Sequence, residues 1–390
     1  MKRSYKAAAL MFALLLIFSA LPVFAVHTAD YNAHDVEKLR AFFELTGASS
    51  FPNGRAINGP GYDPDSPATW TSCTWNGAGR LVSIVFDDLG YNVVGCLDLA
   101  GCTALTTITA SDCYLDSVDF SGCSALVSVD LTGNHLTAID VTECPQLELL
   151  WFKQNGVSGV DLSGCPLLTS LDCSYNDFTE LDVTGCPLLT ILRCGNNRIA
   201  SLDVSNCPRI VELNCKSNIL TSLDISALTE LERLFSFGNL LRRLDLSVMN
   251  GGESFVVEAV GNGYIGTKCY YTTDGVDIYA SAAAAEGESF LGWYEGGVQI
   301  ADTENCLCPL GEGARTLSAH FTGSGTLLGD ADSNGAVNTA DALLTLRYSL
   351  RLVSDGEIDL AAADVNFDGT VTSADALLIL RYAIGVLSGF

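Results

Sequence analysis

Three observations predict a multidomain chain built around a solenoid of short parallel-β coils, followed by a small β module and an all-α carboxy-terminal body. Cys102, Cys123, Cys144, Cys165, Cys186 and Cys207 stand 21 residues apart without interruption. Between them one unit recurs, clearest as Cys165-Pro-Leu-Leu168-Thr-Ser-Leu171-Asp-Cys173-Ser-Tyr-Asn176-Asp-Phe178-Thr-Glu-Leu181-Asp-Val183. Residues 327–390 hold two copies of a different loop-and-helix unit. A fixed period in the low twenties means that one coil cannot bury its own apolar side, so coils stack and each touches only its neighbours.

The columns of the repeat have physical reasons. Leu171 and Cys173 alternate inward from a short strand while Asp172 points outward. Asn134, Asn155, Asn176, Asn197, Asn218 and Asn239 form the next column, with Cys113 in the same place one coil earlier. A turn inside the stack leaves backbone groups without water, and a stacked carboxamide can satisfy them. A second apolar run, Leu181 and Val183 in this unit, closes the other side. The outline L-x-x-L-x-C/L-x-x-N-x-L-x-x-L-D-V-S/T-x-C-P resembles the short leucine-rich repeats of secreted bacterial proteins.

At the amino terminus, Lys2, Arg3 and Lys6 precede an apolar run from Ala7 to Phe18, and Val23-Phe24-Ala25 offers a small-residue cleavage site. Residues 1–25 are therefore expected to be a secretory signal, giving an extracellular protein without a membrane span after cleavage. Residues 26–80 are expected to cap the solenoid: Val36, Leu39, Phe42 and Phe43 have helical spacing, a Pro/Gly/Asn-rich loop runs over 51–67, and 70–84 lead into the first coil. Such a cap hides the apolar cross-section of the end coil. The coils occupy 81–250, and the first is three residues longer than the rest. Residues 251–322 alternate in the manner of strands. Their Phe290-Leu-Gly-Trp293-Tyr-Glu-Gly-Gly297 stretch resembles small β modules of Gram-positive surface proteins, such as the internalin-type repeat, which implies an end cap or a spacer. Thr322-Gly-Ser-Gly325 opens a short linker, residues 323–326.

The charge balance, 46 Asp plus Glu against 20 Lys plus Arg, argues against nucleic acid or an anionic membrane as the main partner. Fifteen cysteines in an exported chain raise the question of disulfides. Neighbouring coils lie about 5 Å apart, so column cysteines could be bridged in principle. A regular sheet rarely offers disulfide geometry, however, and buried thiols serving as small hydrophobes are the expectation. Cys73, Cys96, Cys306 and Cys308 lie outside the columns.

In the carboxy-terminal body, the first unit reads Asp330-Ala-Asp332-Ser-Asn334-Gly335-Ala336-Val-Asn338-Thr-Ala-Asp341, and the second Asp364-Val-Asn366-Phe-Asp368-Gly369-Thr370-Val-Thr372-Ser-Ala-Asp375. Oxygen side chains at places 1, 3, 5, 9 and 12, Gly at 6 and a backbone carbonyl (Ala336, Thr370) at 7 have the ligand spacing of an EF-hand-like calcium loop. Two calcium ions are therefore expected. The duplicated loop-helix unit, with no helix leading in and Asp at place 12, is similar to a type I dockerin over 327–390. That resemblance implies calcium-dependent docking onto a cohesin module of a scaffoldin, as in a cellulosome. It also implies that Thr339, Ala340, Ser373 and Ala374 help choose the cohesin, and it puts Arg347 and Arg381 at the basic place of each helix. Asn338 is the departure, a less usual ligand at place 9.

No catalytic constellation emerges. The chain has four histidines, and His135 stands beside an Asn-column residue where a solvated side chain is expected. In the column Asp98, Asp119, Asp140, Asp161, Asp182, Asp203, Asp224 and Asp245, each residue from Asp119 on is followed two places later by Ser or Thr, which is turn chemistry. The outward strand positions read Thr109, Asp130, Trp151, Asp172, Arg193, Asn214 and Phe235, flanked by Lys153, Lys216 and Phe237. Trp151, Arg193, Phe235, Lys153 and Lys216 are the candidate ligand contacts, since aromatics among charges are typical anchors. Phe235 and Phe237 could equally lie beneath the following β module. The expected function is non-catalytic recognition of a protein or polysaccharide, set within polysaccharide catabolism and anchored through the dockerin. The alternative is a polysaccharide-degrading hydrolase with a carboxylate pair within 253–322, where Glu258, Asp274, Asp277, Glu286, Glu288, Glu295 and Asp302 are the acids.

Overall fold

The computed structural model describes residues 31–46, 52–86, 89–250, 254–272, 275–296, 298–309, 314–321, 328–332, 334, 336–366 and 370–387. The signal segment, the linker 323–326, Asp274 and the loop residue Asp368 lie outside the described residues.

Chain order begins with helix α1 (Ala33–Phe43) and helix α2 (Asn53–Asn58). Asn32 caps α1, its side chain accepting from the N–H groups of His34 and Asp35, and Leu39, Phe42 and Phe43 are buried against the first coils. The second helix falls where a loop was expected. Asn53 decides this: buried, it donates to the carbonyls of Phe42 (3.1 Å) and Val94 (2.9 Å) and accepts from the Val94 N–H (3.2 Å). Those partners come from other elements, so local Gly and Asn turn signals are overridden. Strand β1 (Cys73–Trp75) pairs antiparallel with β2 (Leu81–Val85), so the cap is helix plus hairpin and not helical alone. Asp35, fully buried, ties it to the first coil by accepting from Arg80 Nε (2.7 Å), Arg80 Nη2 (3.0 Å) and the Leu81 N–H (2.9 Å).

The solenoid follows as β2, β3 (Gly90–Asp98), β4 (Thr107–Thr109), β5 (Cys113–Asp119), β6 (Ser128–Asp130), β7 (Leu149–Trp151), β8 (Ser170–Asp172), β9 (Ile191–Arg193), β10 (Glu212–Asn214) and β11 (Arg233–Phe235). Apart from β3 and β5 these strands pair in parallel, in the register Ile84, Ile108, Val129, Leu150, Leu171, Leu192, Leu213, Leu234. The first step is 24 residues and each later one 21, and every residue in that register is fully buried. Strands β3 and β5 form a separate two-stranded parallel sheet on the first coils. No repeat pattern announced it.

The Asn column works as a ladder. Asn176 accepts from the Val157 N–H (3.0 Å) and donates to the carbonyls of Phe152 (3.0 Å), Cys173 (3.1 Å) and Ser174 (3.3 Å). The same set recurs at Asn134, Asn155, Asn197 and Asn218. Each carboxamide therefore joins its own turn to the coil before it. The six period-setting cysteines are fully buried, and the described cysteines are free thiols. Burial pushes Cys102, Cys144 and Cys186 up to about 12, so near neutral pH they are protonated and inert.

The segment after the coils is built onto the solenoid. Beside β12 (Arg243–Asp245) of the last coil stand β13 (Phe255–Val260), β14 (Gly263–Thr272), β15 (Gly275–Ala284), β16 (Phe290–Glu295), β17 (Val298–Ala301), β18 (Asn305–Pro309) and β19 (Arg315–Phe321). Strand β14 pairs antiparallel with β11, and β15 and β18 follow, so the repeat sheet runs on to twelve strands. The approach at β14 needs glycine: a Cβ on Gly266 would meet Phe237 Cα at 2.4 Å. The other strands form a five-stranded sheet, and its Phe255, Val257, Trp293, Leu317 and Ala319 belong to the same buried core as the repeats.

The carboxy-terminal body holds α3 (Thr339–Ser349), α4 (Leu360–Ala363) and α5 (Ser373–Ala383), with α3 packed on α5. A lead-in helix was not expected, yet α4 precedes the second loop: Asp359 accepts from the Ala362 N–H (3.0 Å), and Ala362 and Ala363 are buried. Two small cores result. One joins Ala331, Ile358 and Ala363 with Val371, and the other joins Ala342, Val365 and Ile379 with Val337. Each loop thus lends its place-8 valine to the core that holds the other loop's place-2 residue.

Candidate functional sites

In the first loop, Asp330 and Asp341 are buried and Asp332 is exposed at its mouth. One carboxylate oxygen from each lies within 4.8 Å of the others. Backbone donors hold this convergence. Asp341 accepts from the Asp332 N–H (3.1 Å) and the Asn338 N–H (2.8 Å), while Asp330 and Asp332 both accept from the Asn334 N–H (3.0 and 3.1 Å). Burial, and then the charges of Asp332 and Asp330, raise the Asp341 carboxyl despite these bonds. Clustered hard oxygens whose charges repel suit a divalent cation of the calcium type, which relieves both penalties.

Places 9 and 12 carry a second duty. Asn338 and Thr372 are the N-caps of α3 and α5, and Asp341 and Asp375 close reciprocal capping boxes. Asn338 accepts from the Ala340 N–H (2.8 Å) and donates to the carbonyl of Ala336 (3.0 Å), so its amide is engaged inside the loop. In the second loop, buried Asp375 accepts from the Asn366 N–H (3.2 Å), the Thr372 N–H (2.9 Å) and Thr372 Oγ1 (3.1 Å). Asp364 and Asn366 are half-buried there, and Thr370 is exposed.

Thr339, Ala340, Arg347, Ser373, Ala374 and Arg381 are all exposed on the two helices. Sequence reasoning missed what lies between them. Leu343, Leu346 and Leu350 on the first unit, and Leu377, Leu380 and Ile384 on the second, are exposed apolar side chains. The signal was present: both triplets have i, i+3, i+7 spacing and stand 34 residues apart, the offset of the duplication.

On the strand face, Trp151 is half-buried and its Nε1 donates to Ser170 Oγ (3.0 Å). Arg193 does not project as an open anchor. Its Nε donates to Glu212 Oε1 (2.5 Å), and its Nη1 lies 3.9 Å from Asp172 Oδ2. Glu212, only 4 % exposed, also receives Arg233 Nη2 (3.0 Å). The Lys153 ammonium sits 5.5 Å from the Tyr175 ring centre, and that of Lys216 sits 5.7 Å from the Phe237 ring centre. Phe235 is half-buried and faces Lys268 across the β11–β14 pair, so that strand lies beside it in the sheet and not over it. Ser170, Glu212 and Arg233 were overlooked. They occupy the first position of each three-residue strand, two before the outward residues, as strand alternation requires.

Arg193→Ala is expected to cost about 1–3 kcal/mol of stability, because it strips one partner from a buried carboxylate. Denaturant unfolding of the repeats reads this. A stability change below about 0.5 kcal/mol would place Arg193 among ordinary surface residues.

The Asp column is turn chemistry: Asp182 accepts from the Thr184 N–H (2.8 Å) and Oγ1 (2.6 Å), and these bonds hold its carboxyl below the usual range. Among the acids of 253–322, Glu295 is held by two bonds from Arg315, and Glu258 is buried accepting from Ser318 Oγ (3.1 Å). Burial raises Glu258.

Among solved structures, the chain is similar to a functional domain of InlJ from Listeria monocytogenes that includes a cysteine ladder, at 26% identity and a TM-score of 0.26, over 42% of this chain and 48% of that one. It is also similar to the LRR protein LIC12759 from Leptospira interrogans (22% identity, TM-score 0.36, 42% and 45% of the two chains). Internalin C2 from L. monocytogenes matches at 20% identity and a TM-score of 0.37, over 44% and 77%. The chain spans less than half the length of the first two. No curated protein matches it. Residues 328–383 match the family model described as Dockerin type I domain, so the chain carries a type I dockerin region behind a solenoid of the leucine-rich repeat kind.

Proposed function

We propose that this is a non-catalytic extracellular recognition protein, in which the repeats bind a ligand and the dockerin anchors them to a scaffoldin cohesin as part of a cellulosome. The observation that carries the reading is the match of 328–383 together with the convergence of Asp330, Asp332 and Asp341 inside it. Type I dockerins bind calcium in general, and the residues here fit that ion. Asp330, Asp332, Asn334, the Ala336 carbonyl and Asp341 would hold one ion, with Asn338 acting through water since its amide caps α3. Asp364, Asn366, Asp368, the Thr370 carbonyl, Thr372 and Asp375 would hold a second by duplication. Bound calcium supplies charge neutralisation that lets both loops close.

The cohesin contact we assign to the exposed helix faces. Thr339, Ala340, Leu343 and Arg347 form one, and Ser373, Ala374, Leu377 and Arg381 the other. The two are alike, so either can serve with the module turned half a circle. A cohesin titration of the full chain in calcium tests both statements. Leu343→Asp or Leu377→Asp alone should weaken binding by only a fewfold, and the pair should lose about 100-fold, an anchor-sized loss. If either single variant abolished binding, one orientation would be the rule. If the unaltered chain bound no cohesin, the anchoring role itself would fall.

A further inference from the structure

We propose that the strand face between Trp151 and Phe237 binds a linear polyuronate, a polysaccharide with one carboxylate per sugar; this rests on reading the repeats as a ligand-binding arm. The chain as a whole carries a formal charge of −26, yet the acids of this face are largely occupied by partners of their own. Glu212 is buried between Arg193 and Arg233, and Asp172 accepts from the Ser174 N–H (3.1 Å) beside Arg193. Among the described residues, neither Lys153 nor Lys216 forms an ion pair, and both ammonium groups rest against rings. The face therefore turns positive charge outward on a protein that is otherwise strongly acidic.

The spacing of these groups points to a linear polymer. Lys153 and Lys216 occupy one column three coils apart, and each is followed one coil later by its ring, Tyr175 or Phe237. Stacked coils are separated by about 4.8 Å, close to the advance of a chain by one pyranose unit. The two cations, about 14 Å apart, would thus meet carboxylates three sugars apart on an extended chain lying along the stacking axis. Trp151, fixed by its bond to Ser170, and Tyr175, 47% exposed, offer flat apolar surface to the C–H faces of intervening sugars. Gly195 keeps the path of Lys216 open, because a Cβ there would meet Lys216 Cγ at 3.0 Å. An acidic peptide could answer the charges, but its extended rise of about 3.4 Å per residue does not match the coil spacing.

The test uses the full chain with calcium and three labelled probes read by fluorescence anisotropy: a galacturonate decamer, its fully methyl-esterified form, and an oligoglutamate of equal charge. The decamer should bind, more weakly as salt rises, and the ester should bind at least about tenfold less. Lys153→Gln and Lys216→Gln should each weaken decamer binding about fivefold or more with melting unchanged. Equal binding of the ester, or unchanged binding by both lysine variants, would overturn the proposal. Oligoglutamate binding as tight as the decamer would assign the face to acidic proteins instead. A chain that ignores all three probes but still docks onto cohesin loses this ligand assignment alone.

Discussion

Asp341→Ala and Asp375→Ala are expected to unfold the carboxy-terminal body in calcium while leaving the repeats folded. Each carboxylate does two things at once. It closes the capping box of a helix, worth about 1 kcal/mol, and it stands at the twelfth place of an ion loop. Removing it also removes the linked binding energy, about 4 kcal/mol where calcium stands a thousandfold above its dissociation constant. The cores that must survive this loss are small, three buried residues each. Circular dichroism of the full chain in calcium and in chelator measures the effect as the helical signal and the melting transition of this body. Either variant in calcium should match the unaltered chain in chelator. Asn338→Ala should do far less, since it gives up a cap and at most a water-mediated ligand. Magnesium should restore little, being small and slow to shed water. Helical signal and melting unchanged by chelator would remove calcium from the folding of this body.

Asn176→Ala should cost the solenoid about 2–4 kcal/mol. The side chain is buried and joins four backbone groups, the Val157 N–H and the carbonyls of Phe152, Cys173 and Ser174. Alanine orphans the Val157 N–H, at about 1–3 kcal/mol, and takes one of two donors from each carbonyl: Phe152 keeps Asn155 Nδ2, Cys173 keeps Asn197 Nδ2 and Ser174 keeps the Gln154 N–H. Asn155 makes the same bonds but is only half-buried, so Asn155→Ala should cost less. Because coils contact only neighbours, the loss should appear as broadened unfolding with a lower midpoint. A cost below about 1 kcal/mol for Asn176→Ala would mean that water replaces the carboxamide readily.

Much of the molecule was legible in the residue pattern. The 21-residue period placed Leu168, Leu171 and Cys173 inside, the Asn column at the turns and the Asp column in local turn bonds. All of these are short-range consequences of one coil packing on its copy. The duplicated acidic loops were legible for the same reason, since their oxygen-bearing side chains lie within twelve consecutive residues. Phe235 marks the limit: its exposure could be judged only after β14 was seen to lie edge to edge with β11. Helix α2 marks another, because Asn53 is held by Phe42 and Val94 and by nothing in its own neighbourhood.

What the sequence determined by itself, then, is everything set by repetition and local spacing: the stacked coils, their interior columns, the duplicated loops and the helices these loops cap. What only the tertiary structure decided is where chemistry depends on residues far apart along the chain. It turned Arg193 from an open contact into half of a clamp on Glu212, joined the strands of 255–321 to the repeat core, and left two matched apolar stripes open on α3 and α5. The reason is physical. A periodic pattern says which way a side chain points, but whether it meets solvent, a counter-charge or another strand depends on what the fold brings opposite it.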